Sequence, residues 1–409
     1  MKRIVSAIMM CFLMFLSACS NGASGDGDSE TFKVGALFPL SGGLALLGEE
    51  SYRGVELAVE EANKNGGIAG GKQIKLVKGD AVDADASQSE ANRLINQENI
   101  KTIVGSYSSS ISFAASEVAE RNGVLYWELG STSDTITDRQ YKYIMRTNPS
   151  ASFFGKTHVD FIKEVVTKKL GKELVDLKVA VAFEDSAAGP PIADAFIKFA
   201  KEEGINVDTK IGYNPASNDL SSVILNIKKA APDVLVAISY LNDAILLARQ
   251  SEELGLKVPV FLGSGGGHTM TDFKDGAGNL ANGIFNVDFP QYAINREATP
   301  GMEEFIDAYK EKYGSEPRSG HSLTNYMGMK VVLEVIDKTG EVDPDKLKEE
   351  ALKYTAKPGS TATGWGVEFD AKTGQNILGQ AYMHQWIDGE LKTVWPEAVA
   401  VEEPQISNQ

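Results

Sequence analysis

The stretch that decides the fold reads Lys101-Thr-Ile-Val-Gly-Ser-Tyr-Ser-Ser-Ser110 and then, after a helix-like segment, Gly123-Val-Leu-Tyr-Trp-Glu-Leu-Gly-Ser-Thr132. Two short apolar strands are predicted, over Thr102 to Val104 and Val124 to Trp127, and each runs into small and hydroxyl residues. Between them, apolar residues recur at helical spacing, at Ile111, Ala114, Ala115 and Val118. Strand, helix and strand in this order predict a βαβ unit.

The small residues at the two strand ends form the first candidate site. Ligands of parallel sheets bind beyond the carboxyl ends of the strands, where helix N-termini offer free N–H groups. We therefore expect Ser108, Gly130, Ser131 and Thr132 to surround a small carboxylate. The alternative, left open by the spacing, is that the Ser and Thr side chains only cap the helices that follow.

Composition limits the kinds of partner. The chain has 409 residues, of which 43% are hydrophobic and 23% charged, as in ordinary globular proteins. Its net charge of −16 argues against a nucleic-acid partner, because phosphate binding needs clustered Lys and Arg.

The N-terminus has the pattern of a secretory signal. A basic Met1-Lys-Arg3 precedes a short apolar run from Ile4 to Leu16, and small residues lead to Cys19. This also resembles the lipobox of bacterial lipoproteins, which implies removal of residues 1–18 and lipidation of Cys19; the alternative is an ordinary signal with an incidental Cys. Residues 19–30 are predicted to be a flexible tether. Since the other cysteine lies in the signal, we expect no disulfide, Cys catalysis or thiolate metal site in the exported domain.

Strand and helix patterns alternate along the rest of the chain in two runs, separated near Pro149. Such alternation predicts α/β architecture with parallel sheets flanked by helices, here two sheets. Residues 139–149 are predicted to be a crossing segment, and Thr299 and Pro300 to be the N-cap and first residue of a helix. An Asp388-Gly389 turn predicts a hairpin near the C-terminus.

No motif supports catalysis. The P-loop-like run Gly66 to Lys72 is followed by Gln73 and lies between a helix and a strand, the inverse of what a P-loop needs. The run Gly263 to His268 has His where a dinucleotide fingerprint needs its third Gly, so a turn that lets backbone approach a small ligand is favoured. The four His have no metal-ligand spacing. We predict no enzymatic activity, no cofactor and no metal.

From Thr31 to Trp395 the chain resembles the extracytoplasmic substrate-binding proteins of ABC importers, the leucine/isoleucine/valine-binding group. The matching stretches are Lys33-Val-Gly-Ala-Leu-Phe-Pro-Leu-Ser-Gly42, Gly48 to Gly54, Glu60-Glu-Ala-Asn-Lys-Asn-Gly-Gly-Ile68, Val104-Gly-Ser-Tyr-Ser-Ser-Ser110, Tyr143-Ile-Met-Arg-Thr147 and Gly364-Trp-Gly-Val-Glu-Phe-Asp370. Their order and spacing fit the whole mature chain.

The resemblance implies two Rossmann-like lobes joined by three crossing segments, with ligand in the cleft between them. The crossings are expected near 148–152, 286–290 and 357–363. Lobe 1 would then comprise 31–148 and 288–358, and lobe 2 would comprise 149–287 and 359–409. Such lobes close on ligand about a hinge.

The resemblance also assigns site residues. Ser108, Gly130 and Thr132 fall where the family holds the ligand carboxylate, Tyr240 where a Tyr of the second lobe closes over it, and Leu47 where an aromatic residue often walls the side-chain pocket. Tyr107 lies in the same turn as Ser108 and joins the candidates.

Two positions depart from the family. Gly265 replaces the acidic residue that pairs with the ligand ammonium, and Ala188 replaces a Tyr. Because a buried ammonium needs a counter-charge, either Glu128, Asp185 or Asp243 supplies it, or the ligand has no ammonium. A surface or interlobe carboxylate is the other interpretation of Glu128.

The sequence thus predicts a lipid-anchored, monomeric protein in the periplasm or on the outer face of the cytoplasmic membrane. It would capture a small carboxylate, an aliphatic amino acid first and an amine-free acid second, and deliver it to a membrane permease. A sensory module of the same fold and an exported enzyme are the alternatives.

Overall fold

The computed structural model describes residues 31–406, so the signal, Cys19 and the tether lie outside the described residues. The strands are β1 (Thr31–Phe38), β2 (Gln73–Asp80), β3 (Thr102–Gly105), β4 (Leu125–Glu128), β5 (Ile144–Arg146), β6 (Lys178–Glu184), β7 (Asn206–Tyr213), β8 (Val234–Ile238), β9 (Val260–Ser264), β10 (Phe285–Asp288), β11 (Thr355–Ala356), β12 (Val367–Glu368), β13 (Tyr382–Ile387) and β14 (Glu390–Trp395).

Helices follow most strands, as the alternation predicts. They are α1 (Ala45–Lys64), α2 (Ala84–Asn96), α3 (Ser109–Arg121), α4 (Thr135–Asp138), α5 (Ala151–Phe161), α6 (Thr167–Leu170), α7 (Gly189–Glu202), α8 (Ser221–Ala230), α9 (Leu241–Glu253), α10 (Thr271–Ala277), α11 (Met302–Tyr313), α12 (Gly320–Thr339) and α13 (Pro344–Ala351). A π-helical segment, Ile162–Val166, joins α5 to α6.

The first lobe contains a five-stranded parallel sheet in the order β2-β1-β3-β4-β5. Successive residues of β4 point to opposite faces: Leu125 and Trp127 join one apolar cluster, and Tyr126 joins another. Both faces are therefore covered by helices, which explains why the strands of the opening stretch read as continuous apolar runs.

The second lobe contains a seven-stranded sheet in the order β14-β13-β10-β9-β8-β6-β7. The strands from β6 to β10 are parallel, and β13 and β14 add an antiparallel edge. The predicted turn joins these last two strands, with Asp388 at φ 53° and Gly389 at φ 81°. The prediction of two α/β lobes, each with a parallel sheet flanked by helices, is confirmed.

The third crossing segment lies later than residues 357–363. Phe369 packs edge-on against Trp127 of β4, with ring centroids 5.7 Å apart. The Asn376 N–H donates to the Arg146 carbonyl of β5 at 2.9 Å. These contacts place Phe369 and Asn376 against the first lobe rather than in the second, and the chain crosses after Asn376 to reach β13.

Two local expectations are wrong. Residues 139–149 are not only a crossing segment, since they include β5, a three-residue edge strand paired with β4. The helix expected to start at Pro300 starts at Met302, and Gly301, at φ 88°, is its N-cap residue. Thr299 lies outside the helix and donates its hydroxyl to the Asn295 carbonyl at 3.2 Å.

No helix within residues 31–406 combines the length and the apolar character needed to cross a bilayer.

The close approach of α1 to α12 gives a test of the packing. A Cβ added at Gly54 of α1 would lie 2.0 Å from the Ser322 carbonyl oxygen of α12. We expect Gly54→Ala to lower the free energy of unfolding by about 1–3 kcal/mol, as overpacking does, measured by urea denaturation.

Gly43→Ala is the matched control, because nothing lies within 4 Å of a Cβ added there. We expect it to change the free energy of unfolding by no more than ~0.5 kcal/mol. Equal losses in the two variants would contradict the packing of α1 on α12.

Candidate ligand-binding cleft

The carboxyl ends of β3 and β4 in the first lobe face the carboxyl ends of the parallel strands of the second lobe. Ser108 is the N-cap residue of α3, and its side chain makes no capping hydrogen bond. The alternative interpretation, in which the Ser108 hydroxyl only caps the helix that follows, is therefore wrong for this residue.

The cleft between the lobes contains two cavities. The inner cavity has a volume of about 40 Å³ and is lined by residues of both lobes, among them Gly130, Thr132, Ala188 and Gly265. The outer cavity has a volume of about 640 Å³, and Leu47 and Ser108 are among its lining residues.

An aromatic pair stands where the two cavities meet. Tyr107 and Tyr240 both line the inner and the outer cavity. Their rings are edge to face, with centroids 6.1 Å apart, and join the first lobe to the second. Leu47 makes a further interlobe contact, because a Cβ added at Gly266 would lie 2.6 Å from its Cδ2.

Glu128 lies beneath the first-lobe side of the cleft and lines neither cavity. It is fully buried, and its Oε1 accepts N–H bonds from Ser106, Leu129, Gly130 and Ser131 at 3.1, 3.0, 2.8 and 2.6 Å. Burial raises the pKa of Glu128 to about 7, against the opposing effect of these N–H groups. The carboxylate holds the loop after β4 in shape.

This arrangement divides the predicted carboxylate-binding residues. The N–H groups of Gly130 and Ser131 donate to Glu128, and the Ser131 hydroxyl is 2.6 Å from the Ser112 hydroxyl. Gly130 contributes backbone to the wall of the inner cavity, whereas Ser131 lines neither cavity. Within residues 31–406, the N–H of Thr132 has no backbone acceptor. Thr132 and Ser108 remain the first-lobe donors that face the cleft.

The second lobe supplies two acids that the sequence analysis missed. Glu184 ends β6 and Asp288 ends β10, both are 1% exposed, and both line the inner cavity. The signal that could have found them is an acidic residue at the carboxyl end of a buried strand, the same criterion that selected Ser108 and Thr132.

The two acids differ in the hydrogen bonds that their carboxylate oxygens accept from the protein. The oxygens of Glu184 accept N–H bonds from Ser186 at 2.7 Å and Gly189 at 2.6 Å. Asp288 Oδ2 accepts the Thr269 hydroxyl at 2.5 Å, and Oδ1 has no hydrogen bond of good geometry to any described residue. Burial raises the pKa of Asp288 to about 7, more than the Thr269 hydroxyl lowers it. Asp288 is therefore the acid with a free oxygen at the inner cavity.

The three acids proposed from the sequence lie in different places. Asp185 is exposed and lines neither cavity, and Glu128 is buried below the cleft. Asp243 is 1% exposed and lines the outer cavity. Gly265, at φ 78°, lines the inner cavity with nothing within 4 Å of an added Cβ, so the space of the family's acidic residue is open here.

The chemistry of the cleft is therefore two-sided. Donors from the first lobe face buried carboxylates from the second, an arrangement that complements a molecule carrying both an acid and an amine. His321, at the inner cavity, is kept neutral because burial lowers its pKa to about 3. Among residues 31–406, no three His, Cys, Asp or Glu side chains cluster as metal ligands would.

The role of Glu128 can be tested by stability. We expect Glu128→Ala to lower the free energy of unfolding by about 3 kcal/mol or more, because removing it leaves buried groups without their partner. Glu128→Gln keeps an oxygen acceptor and should cost clearly less. Urea denaturation measures both, and Asp185→Ala, at an exposed site, is the control. Equal losses for Ala and Gln would contradict this role.

Comparison with known proteins agrees with the geometry. The family model described as "Periplasmic binding protein" matches residues 31–390. The Leu/Ile/Val-binding protein homolog 7 of Brucella suis biovar 1 is 43% identical over 392 residues, which cover 96% of this chain and 98% of the relative.

Two solved structures share the fold. One is the branched-chain amino acid transporter substrate binding protein LivJ from Streptococcus pneumoniae, in complex with isoleucine (25% identity, 92% and 100% coverage, TM-score 0.76). The other is an ABC transporter solute binding protein from Rhodopseudomonas palustris BisB5, in complex with 3,4-dihydroxy benzoic acid (23% identity, 91% and 99% coverage, TM-score 0.74). The family match and the 43% identity show that the chain belongs to the periplasmic binding protein family.

Proposed function

We propose that the protein is the solute-binding component of an ABC importer and that it captures an α-amino acid in the cleft between its lobes. The observation that carries this proposal is Asp288, a buried carboxylate with one free oxygen at the inner cavity. An ionised carboxylate in such a place is costly without a positive partner, and an ammonium group is that partner.

The first lobe supplies the complementary half of the site. The hydroxyls of Ser108 and Thr132 and the N-terminus of α3 lie on the cleft, where they can hold the ligand carboxylate. Tyr240 then covers the ligand from the second lobe. Bound ligand is desolvated between the lobes, which strengthens both polar contacts.

Asp288 also supplies the counter-charge for the ligand ammonium that is lost where Gly265 replaces the family's acidic residue. The acid lost from the end of β9 is replaced by one at the end of β10, the neighbouring strand in the sheet. The relatives named for leucine, isoleucine and valine support an α-amino acid whose side chain has an aliphatic stem.

An amine-free carboxylate is the second candidate. Gly265 favours it, and so does the Rhodopseudomonas palustris protein with its bound 3,4-dihydroxy benzoic acid. Three buried acids at the cleft count against it, because they would repel a ligand that carries only negative charge.

The remaining parts of the function rest on the sequence. Lipidation at Cys19 would anchor the protein outside the cytoplasmic membrane, and the loaded protein would pass its ligand to a membrane permease. We further propose that it works as a monomer and uses no cofactor.

Ligand binding at two pH values tests the proposal. The full-length protein in detergent is screened by thermal shift with the standard α-amino acids and with 4-methylpentanoate, which is leucine without its amine. At pH 8 we expect at least one amino acid to stabilise the protein, by about 2.7 kcal/mol at a hundredfold excess over Kd, and 4-methylpentanoate not to do so.

The two ligand classes should respond to pH with opposite sign. Below pH 7, Asp288 becomes protonated and loses the charge that holds the ammonium, so amino-acid affinity should fall by up to ~tenfold per pH unit. An amine-free acid should bind better as the pH falls. Binding of 4-methylpentanoate at pH 8 as tight as that of any amino acid would overturn the proposal.

Asp288→Asn assigns the effect to this residue. We expect it to weaken amino-acid binding at pH 8 by ~30-fold or more, the usual cost of truncating a buried charge pair. Asp185→Asn, which changes an exposed acid outside the cleft, should bind as the unmodified protein does.

A further inference from the structure

The outer cavity holds a buried acid that the amino-acid head group does not use. Asp243 is 1% exposed and lines this cavity, whereas Asp288 lines the inner one. Asp243 Oδ2 accepts the Tyr213 hydroxyl at 2.8 Å, and Oδ1 has no hydrogen bond of good geometry to any residue from 31 to 406. Buried polar atoms in proteins nearly always have partners, so this oxygen calls for one.

The two cavities are neighbours. Tyr107 and Tyr240 line both, so a ligand with its head group in the inner cavity can extend past these rings into the outer one. The volume of the outer cavity, about 640 Å³, is ample for a side chain.

The walls of the outer cavity are mostly apolar. Its apolar lining residues include Leu44, Leu46, Leu47, Val82, Leu241 and Met270. An aliphatic stem would pack well against them. Asp243 is one of two carboxylates among the lining residues, and the other, Asp83, is exposed and accepts the Ala86 N–H at 2.8 Å as the N-cap of α2. A few polar groups of this kind fix ligand orientation in largely apolar pockets.

We propose that the outer cavity is a second subsite, in which Asp243 accepts a hydrogen bond from an N–H group, ammonium or amide, at the far end of the ligand side chain. The proposal rests on the proposed function, since it takes the α-amino acid head group as bound at Asp288. It narrows the substrate class to amino acids with an aliphatic stem and a terminal N–H donor.

Asp243 also makes contacts that stabilise the fold. The test must separate their loss from a loss of ligand binding. Asp243 is the third residue of α9, where a carboxylate stabilises the helix N-terminus, and it anchors Tyr213 of β7. A purely structural role would lower the midpoint of unfolding of a variant without changing its choice between ligands.

Lysine and norleucine are the matched probes, because norleucine is lysine without its terminal nitrogen. Isothermal titration of the full-length protein at pH 8 measures their dissociation constants, and glutamine distinguishes an amide donor from an ammonium. We expect lysine, glutamine or both to bind at least tenfold tighter than norleucine. Asp243→Asn should reduce this ratio to less than threefold, whereas Asp185→Asn should keep it.

The titrations test the second subsite, its assignment to Asp243 and the proposed function separately. Norleucine binding as tightly as lysine and glutamine would overturn the second subsite while leaving the amino-acid site intact. A preference unchanged in Asp243→Asn would overturn the assignment to this residue. If no α-amino acid binds, the proposed function fails and this inference fails with it. The ratio in the unmodified protein decides the subsite even if the variant does not fold.

Discussion

A buried carboxylate needs a partner, and the structure depends on how it provides one. Glu128 ends β4 and Asp288 ends β10, each strand pairs in parallel with a neighbour, and both side chains are buried. Glu128 receives its partners from the protein, as four backbone N–H groups that converge on one oxygen. Asp288 lines the inner cavity and receives one hydroxyl on Oδ2, and its buried Oδ1 has no hydrogen-bond partner among the described residues. The first arrangement holds the loop after β4 in shape, and the second is where we propose that the ligand ammonium binds.

This difference explains why the two lobes act together. The turn after β4 presents Thr132 to the cleft because Glu128 holds the neighbouring N–H groups inward. The acids of the second lobe stand opposite, in an inner cavity of about 40 Å³. The groups proposed for the ligand acid lie on the first lobe and the group proposed for its amine lies on the second, so both lobes are needed to bind the ligand. In the proposed complex, closure of the lobes would remove water from both ends of the ligand, so binding energy could drive the hinge.

Much of the fold followed from periodicity, and the failures have physical causes. Long alternating patterns predicted both sheets, and residues 101–132 gave the βαβ unit and the strand ends that line the cleft. The strand β5 has only three residues, too few to show a period, and the third crossing is set by pairing between Asn376 and Arg146, distant in sequence. Asp288 was missed because, in so acidic a chain, burial separates a binding carboxylate from a solvated one, and burial is a tertiary property.

The most direct measurement is a crystal structure of the protein with the amino acid that gives the largest thermal shift. We predict that the ligand amine lies within about 3 Å of Asp288 Oδ1 and that the ligand carboxylate lies at hydrogen-bond distance from Ser108, Thr132 and the N-terminus of α3. A ligand bound in the reverse orientation, or one whose amine lies away from Asp288, would contradict the central claim that this acid replaces the one missing at Gly265.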